Sequence, residues 1–450
     1  MRARTLAVAG GLAAILAAAA DPARGAAPGW STPHTVTPYR VGTYGVAPGP
    51  AGVQIFGNGA VQTMTAQMRA IRADGTQGSA VGVDAGAPGF DGPQLSVNDD
   101  ARFVAAWALD TQGQAPIGLA ATLGSRTSLP RSATVLPTDG QDVSGLATAI
   151  DENGNGVVVW TQSPRNASGF AVKAATLRRG QAPVVATLAT QADANVDSLS
   201  VGLDAQARPT VTWRILPLGG PALLVGVARG DGTGAFTPAF EQALSTVGIA
   251  QLSTFATADG GLLAFWVDGD PQSGPVDVRF AAAPAGGALG APQTVVGDVR
   301  TRGSVAVAAN AAGRAAVLVP LASGNGTTSL RVALRTRSGT WGSVRSLGPS
   351  NRYVDGMGIG VDASGRVVAL WSDGASRSTG STRILAARSS SGSNPLGSYN
   401  QVSQRPGDRR CHAPTLWLAT SGDGLGLWRC YTTSTGGSDA PRLARLTSPS

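Results

Sequence analysis

The chain has very few of the residues that most enzymes use for chemistry. It holds two histidines (His34, His412), two glutamates (Glu152, Glu241), two cysteines (Cys411, Cys430) and a single lysine, Lys173. Two histidines cannot build a multi-histidine metal centre. A Ser-His-Asp triad would need one of them, and His412, beside Cys411 at a strand start, suits a structural place. No metal or cofactor is implied. After the first twenty residues no apolar run is long enough for a membrane helix. Nearly all positive charge comes from arginines scattered along the chain, with no basic block, which excludes a nucleic-acid footprint.

The start of the chain reads as an export signal. Arg2 and Arg4 precede the run TLAVAGGLAAILAAAA, which ends in small residues before Asp21. Residues 1–26 are expected to be this signal, with cleavage after Ala20 or nearer Ala26 or Ala27, and residues 27–450 to form one domain. No cysteine follows the run to accept a lipid. The expected address is secreted, periplasmic or cell-surface, with no membrane span once the signal is gone. Removing residues 1–26 lowers the formal charge from +8 to +6. In an oxidising compartment Cys411 and Cys430, at the two ends of one expected hairpin, should form a disulfide worth about 3 kcal/mol.

Against these scarcities stands a strong period. Phe56, Trp107, Trp160, Trp213, Trp266, Val319, Trp371 and Trp428 follow one another at intervals of 51, 53, 53, 53, 53, 52 and 57 residues. Such a period marks one supersecondary unit repeated along the chain. Around Trp213 the unit reads as four strands: DSLSVGLD, PTVTW ending on the anchor, ALLVGVARG and FEQALS. Nine residues before the anchors stand Asn98, Asp151, Asp204, Thr257, Asn310 and Asp362. Six before them stand Gly154, Gly260, Gly313, Gly365 and Gly422. A short oxygen-bearing side chain followed by glycine is turn chemistry. Four-stranded antiparallel units of this size arranged radially make an all-β propeller. First strands at 41–46, 93–98, 144–150, 197–203, 250–256, 304–309, 356–361 and 413–419 give eight blades. Seven blades would leave about fifty residues unassigned. The last unit lacks an outer strand, and HTVTP at 34–38 resembles one, so the N-terminal strand is expected to complete the last blade and close the ring.

The repeat resembles the bacterial exported BNR or sialidase-like propellers. It does so through a strand ending in Asp, a turn, a phrase such as VVVW, and worn copies of the Ser-x-Asp-x-Gly-x-x-Trp box at 336–343, with Trp341, and 228–236, with Phe236. The family with a Trp-Asp signature has a shorter period. Quinone-dehydrogenase propellers place glycine four residues before tryptophan, and the kelch double glycine does not recur. In sialidases proper the resemblance would imply an arginine triad, a Tyr–Glu nucleophile pair and an aspartate. Arg40, in YRVG, matches the first arginine. Glu152 falls in a turn between first and second strands and Glu241 in an outer strand, away from the face where such a site forms. The expected molecule is therefore a non-catalytic binding or scaffold module. DENGNG at 151–156 opens like a calcium loop, but no carboxylate completes the shell.

In a propeller, second-to-third loops and blade-to-blade connections share one face. On that face the early blades carry Asp91, Asp139, Asp142, Asp193 and Asp197. The late blades carry Arg300, Arg302, Arg352, Arg405, Arg409, Arg410 and Arg429, with Tyr353 and Tyr431 among them. Guanidinium forks and aromatic rings suit an anionic or sugar ligand. The expected ligand site is Arg300, Arg302, Arg352, Tyr353, Arg409, Arg410, Arg429 and Tyr431. The expected partner is an anionic glycan or a cell-surface protein, met by a monomer. Aspartate pairs such as Asp268 with Asp270, or Asp139 with Asp142, offer the rival reading, a glycoside hydrolase.

Overall fold

A computed structural model describes residues 29–31, 33–35, 42–46, 52–58, 64–87, 89–109, 118–164, 169–192, 194–217, 223–245, 249–271, 274–301, 304–322, 327–354, 356–374, 382–389, 396, 399–403, 410–431 and 440–447. The expected signal lies outside them. Eight four-stranded antiparallel blades follow in chain order, and the order within each blade is the meander read from the sequence. Blade 3 is typical, with strands Asp142–Ile150, Gly156–Ser163, Phe170–Leu177 and Val184–Gln191. Blades 7 and 8 are joined into one larger sheet by a single parallel bridge, Thr382 to Arg410.

The tryptophans fill the wedges between blades. Trp107, Trp160, Trp213, Trp266, Trp371 and Trp428 are all fully buried. Each faces the preceding blade: Trp160, for example, packs with Val104, Leu119 and Ala121 of blade 2. They are not strand ends. The second strand of blade 4 runs Pro209–Pro217, four residues past Trp213, and that of blade 3 runs to Ser163. The continuations, RILP and TQS, keep pairing with the third strand and carry the sheet up to the loop face. Gly226 lies opposite Trp213. A Cβ there would come within 2.1 Å of the indole ring. Gly226→Ala should therefore cost about 2 kcal/mol by overpacking, read as a lower unfolding midpoint.

The turns at the inner end repeat one hydrogen-bond pattern. Asp151 Oδ1 accepts from Asn155 N at 2.8 Å, Asp204 Oδ1 from Gln206 N and Arg208 N at 2.9 Å, and Asp362 Oδ1 from Arg366 N at 2.8 Å. The side-chain oxygen thus bridges to the fourth residue as well as the second. These turns also tie blade to blade. Asn98 Nδ2 donates to Asp151 O and Asn310 Nδ2 to Asp362 O, each at 2.7 Å. Asp151 spends its second oxygen on Asn155 Nδ2 at 2.7 Å, so the calcium-like phrase is a filled turn. Where the turn glycine is missing, Ala101 and Ala207 take its place at φ 58° and 59° and bear the strain.

The ring closes as expected, and closure starts earlier than the sequence suggested. His34–Thr35 pairs with the third strand of blade 8, Ala440–Leu446, through His34↔Leu443 and Thr35↔Arg442. Upstream, Trp30 bridges Leu446, and Ser31 N donates to Arg445 O at 2.7 Å. Trp30 is 7% exposed and lies over Gly426. Cys411 and Cys430 are register partners on neighbouring strands of blade 8 and are joined by a disulfide.

Candidate functional site

The loop face of blades 6, 7 and 8 gathers part of the expected site. Arg352 ends the outer strand of blade 6 (Arg345–Arg352), and Tyr353 follows in the connection to blade 7. Tyr353 N donates to Gly374 O at 2.8 Å and Gly374 N to Tyr353 O at 3.0 Å. That pins the connection to the end of blade 7's second strand, Val367–Gly374. On the other side of the same loop, Thr382 opens the third strand of blade 7 and bridges Arg410, whose register partner is Tyr431. Arg352, Tyr353, Arg410 and Tyr431 therefore flank one loop base. Arg429 lies two residues before Tyr431, opposite His412. Arg300 is one blade away, its carbonyl accepting from Ala322 N at 2.7 Å. Arg302, Arg405 and Arg409 lie outside the described residues, as do the side chains of Arg410 and Tyr431.

The centre of this region is a residue the sequence reading passed over. Asp373 is 1% exposed and holds two guanidinium groups from different blades. Arg352 Nε and Nη2 donate to Asp373 Oδ1 and Oδ2 at 2.8 and 3.1 Å. Arg383 Nε, from the third strand of blade 7, donates to Oδ2 at 2.8 Å. Hydrogen bonding to Asp373 holds the Arg352 guanidinium above its ordinary value. Arg383 is 44% and Arg352 30% exposed, so both keep N–H groups toward solvent. Two cations on one carboxylate leave a net positive charge. Tyr399, 40% exposed, lies within electrostatic reach of Arg352 and packs edge-on against Trp371. A signal for Asp373 did exist in the sequence. The phrases WVDG at 266–269 and WSDG at 371–374 are copies, and Asp268 likewise reaches Arg279 Nε at 2.8 Å and Ser245 of the preceding blade.

Of the aspartates in the rival reading, Asp139, Asp197 and Asp268 sit in ion pairs. Lys173 Nζ lies 2.6 Å from Asp139 Oδ2, and this hydrogen bond holds the Asp139 carboxyl below the usual range. Asp197 is gripped by Arg214 at both oxygens, and Asp268 pairs with Arg279. A general acid needs its pKa raised, and cationic neighbours work against that. Glu241, in the outer strand Phe240–Ser245, bonds Gln191, and Glu152 sits in the first-to-second turn of blade 3, both where the sequence placed them. The Asp-box remnants occupy third-to-fourth turns. Trp341 stacks edge-on against Phe265 and Phe280 of blade 5, and a third copy appears at Asp74, whose Oδ1 accepts from Thr76 N at 2.8 Å.

No protein-family model matches the chain, and no curated protein matches it. Among solved structures it is similar to a lectin from Burkholderia pseudomallei (12% identity, 80% of this chain, 98% of that chain, TM-score 0.45). It is also similar to the β-propeller domain of the Trilobed protease from Pyrococcus furiosus (9% identity, 80% of this chain, 97% of that chain, TM-score 0.44). A third likeness is to an α-L-arabinanase from Penicillium chrysogenum (11% identity, 68% of this chain, 93% of that chain, TM-score 0.38). Among the described residues no helix is long and apolar enough to cross a membrane.

Proposed function

We propose that the chain is an exported, non-enzymatic propeller that binds an anionic carbohydrate on the loop face of blades 6 to 8. The observation that carries this reading is the cluster at Asp373, where one buried carboxylate fixes two partly exposed arginines from neighbouring blades. Their forks are held rigid before a ligand arrives, which lowers the entropic cost of binding. The outward N–H groups suit the carboxylate of an acidic sugar, and exposed Tyr399 offers a ring face for its apolar side. The disulfide between Cys411 and Cys430 is consistent with an oxidising compartment. On blade 8 the backbone positions of Arg410, Arg429 and Tyr431 continue the proposed surface.

The test is an acidic-polysaccharide pull-down with a glycan array, using wild type, Arg352→Ala and Arg409→Ala. Loss of a charge-assisted fork should weaken retention about tenfold or more. Retention equal to wild type in both variants would place the ligand elsewhere. Turnover of aryl glycosides that disappears in Asp268→Asn or Asp139→Asn would replace the binding module with a hydrolase.

A further inference from the structure

The seam between blade 8 and blade 1, where the ring closes, carries buried donors that have no hydrogen-bond acceptor among the described residues. Its walls are apolar at Val46 and Ile71 from blade 1 and at Leu425, Leu427 and Leu443 from blade 8. Within them sits Arg445, its side chain 1% exposed. Among the described residues its Nε, Nη1 and Nη2 have no hydrogen-bond acceptor. Asp423 Oδ1 stands 3.9 Å from Nη2, beyond hydrogen-bonding reach. The corresponding arginines of two other blades each reach a carbonyl of the next blade, although Arg229 Nε is itself buried with no acceptor among the described residues. Arg229, Arg388 and Arg445 each lie opposite the residue three places before their blade's tryptophan: Thr210, Val368 and Leu425. Arg229 Nη2 donates to Gly287 O of the next blade at 2.9 Å, and Arg388 Nη1 to Thr447 O at 3.4 Å. Arg445 alone of the three has no such carbonyl among the described residues.

The facing wall ends in a donor too. Gln54 is fully buried, in register with Tyr44 on one side and Arg69 on the other. Arginine can only donate, so Arg69 Nη1 takes Gln77 Oε1 at 2.9 Å. Gln77 Nε2 then donates to Gln54 Oε1 at 2.7 Å, and Gln54 Nε2 is left buried with no acceptor among the described residues. Burial holds the Arg445 guanidinium below its ordinary value, with Asp423 opposing that effect and Arg126 adding to it. A buried guanidinium without acceptors is costly, and an anion would answer both its charge and its N–H groups.

We propose that this seam binds one small anion, of chloride to carboxylate size, with Arg445 as the principal donor and Gln54 on the opposite wall. The anion would strengthen closure directly, because Arg445 N and O also pair with Ser31 of the closing segment at 2.9 and 2.7 Å.

The test is thermal unfolding of the full chain in sodium formate against sodium gluconate at equal sodium, gluconate being too bulky for such a seam. Formate should raise the midpoint and saturate, while gluconate should not. Arg445→Met should abolish the difference, and Gln54→Leu should weaken the apparent formate affinity about tenfold. Broadening of the chloride NMR line by wild type, reversed by formate, reads the same site without unfolding and decides the matter if Arg445→Met does not fold. An equal response to the two salts, or a formate effect that survives in Arg445→Met, would overturn the proposal and leave the seam to water.

Discussion

Deleting residues 28–38 should cost about 5 kcal/mol and lower the melting midpoint by roughly 6 °C. The loss has three parts. Trp30 is removed from the pocket it shares with Leu370, Ile384, Trp428 and Leu446, and a buried tryptophan is worth about 3–5 kcal/mol. The bonds from Ser31 N to Arg445 O, Arg445 N to Ser31 Oγ and Thr447 N to Gly29 O vanish with it. The third strand of blade 8 then becomes an open edge, with unpaired backbone groups and a route to association. The single variant Trp30→Ala should reproduce most of the thermal loss, because Trp30 covers Gly426 and its ring is buried. An unchanged melting curve for the deletion would mean that the blade 8 sheet stands without its outer strand.

Asp373→Ala is expected to be nearly as costly, about 3 kcal/mol, and to disturb the loop face as well. Removing one partner of a buried pair leaves the other uncompensated. Here two arginines lose their acceptor together. Both are partly exposed and can turn to solvent, which keeps the loss at the lower end of the range for buried pairs. The more telling effect is geometric. Arg352 belongs to blade 6 and Arg383 to blade 7, so Asp373 fixes the angle between two blades as well as the two forks. Ligand retention should fall in Asp373→Ala even though the variant gains positive charge. If retention instead rose with that charge, simple electrostatic attraction would explain binding and preorganisation would not. Asp373→Asn separates the contributions further, since it keeps an oxygen for one arginine and lacks the charge to hold both.

Much of the architecture could be read from the chain because each blade repeats the same local instructions. The oxygen-bearing residue nine places before each anchor sets the inner turn, and the alternation on either side sets the faces of the strands. First strands expected at 144–150 and 197–203 are Asp142–Ile150 and Ala194–Leu203, a little longer where the sheet continues into connections. Period alone also located the closing strand, because the last unit was one strand short. Trp30 escaped notice for the complementary reason: it has no counterpart in other units, so nothing in the repeat points to it.

The site was less legible. Arg352 and Tyr353 were singled out as members of a charged, aromatic connection, and the fold brings them beside the Arg410–Tyr431 pair. Asp373 was missed because its meaning lies in two partners from different blades, at 21 and 10 positions along the chain. A contact of that kind depends on how blades stack, and stacking follows from side-chain volume in the wedges, not from any local phrase. The partners of the early-blade aspartates are equally hidden in the sequence. Lys173 and Arg214 neutralise Asp139 and Asp197 from neighbouring strands, a pairing visible only once the register is known.

Native-state hydrogen exchange at two backbone amides tests the closed ring most directly. Ser31 N donates to Arg445 O at 2.7 Å and Thr447 N to Gly29 O at 2.8 Å, and both bonds exist only if the two ends of the chain share one sheet. These amides should exchange as slowly as those of the inner blades, through global unfolding. Exchange of both within seconds, at the rate of frayed termini while the other blades stay protected, would contradict the closure on which this account of the fold depends.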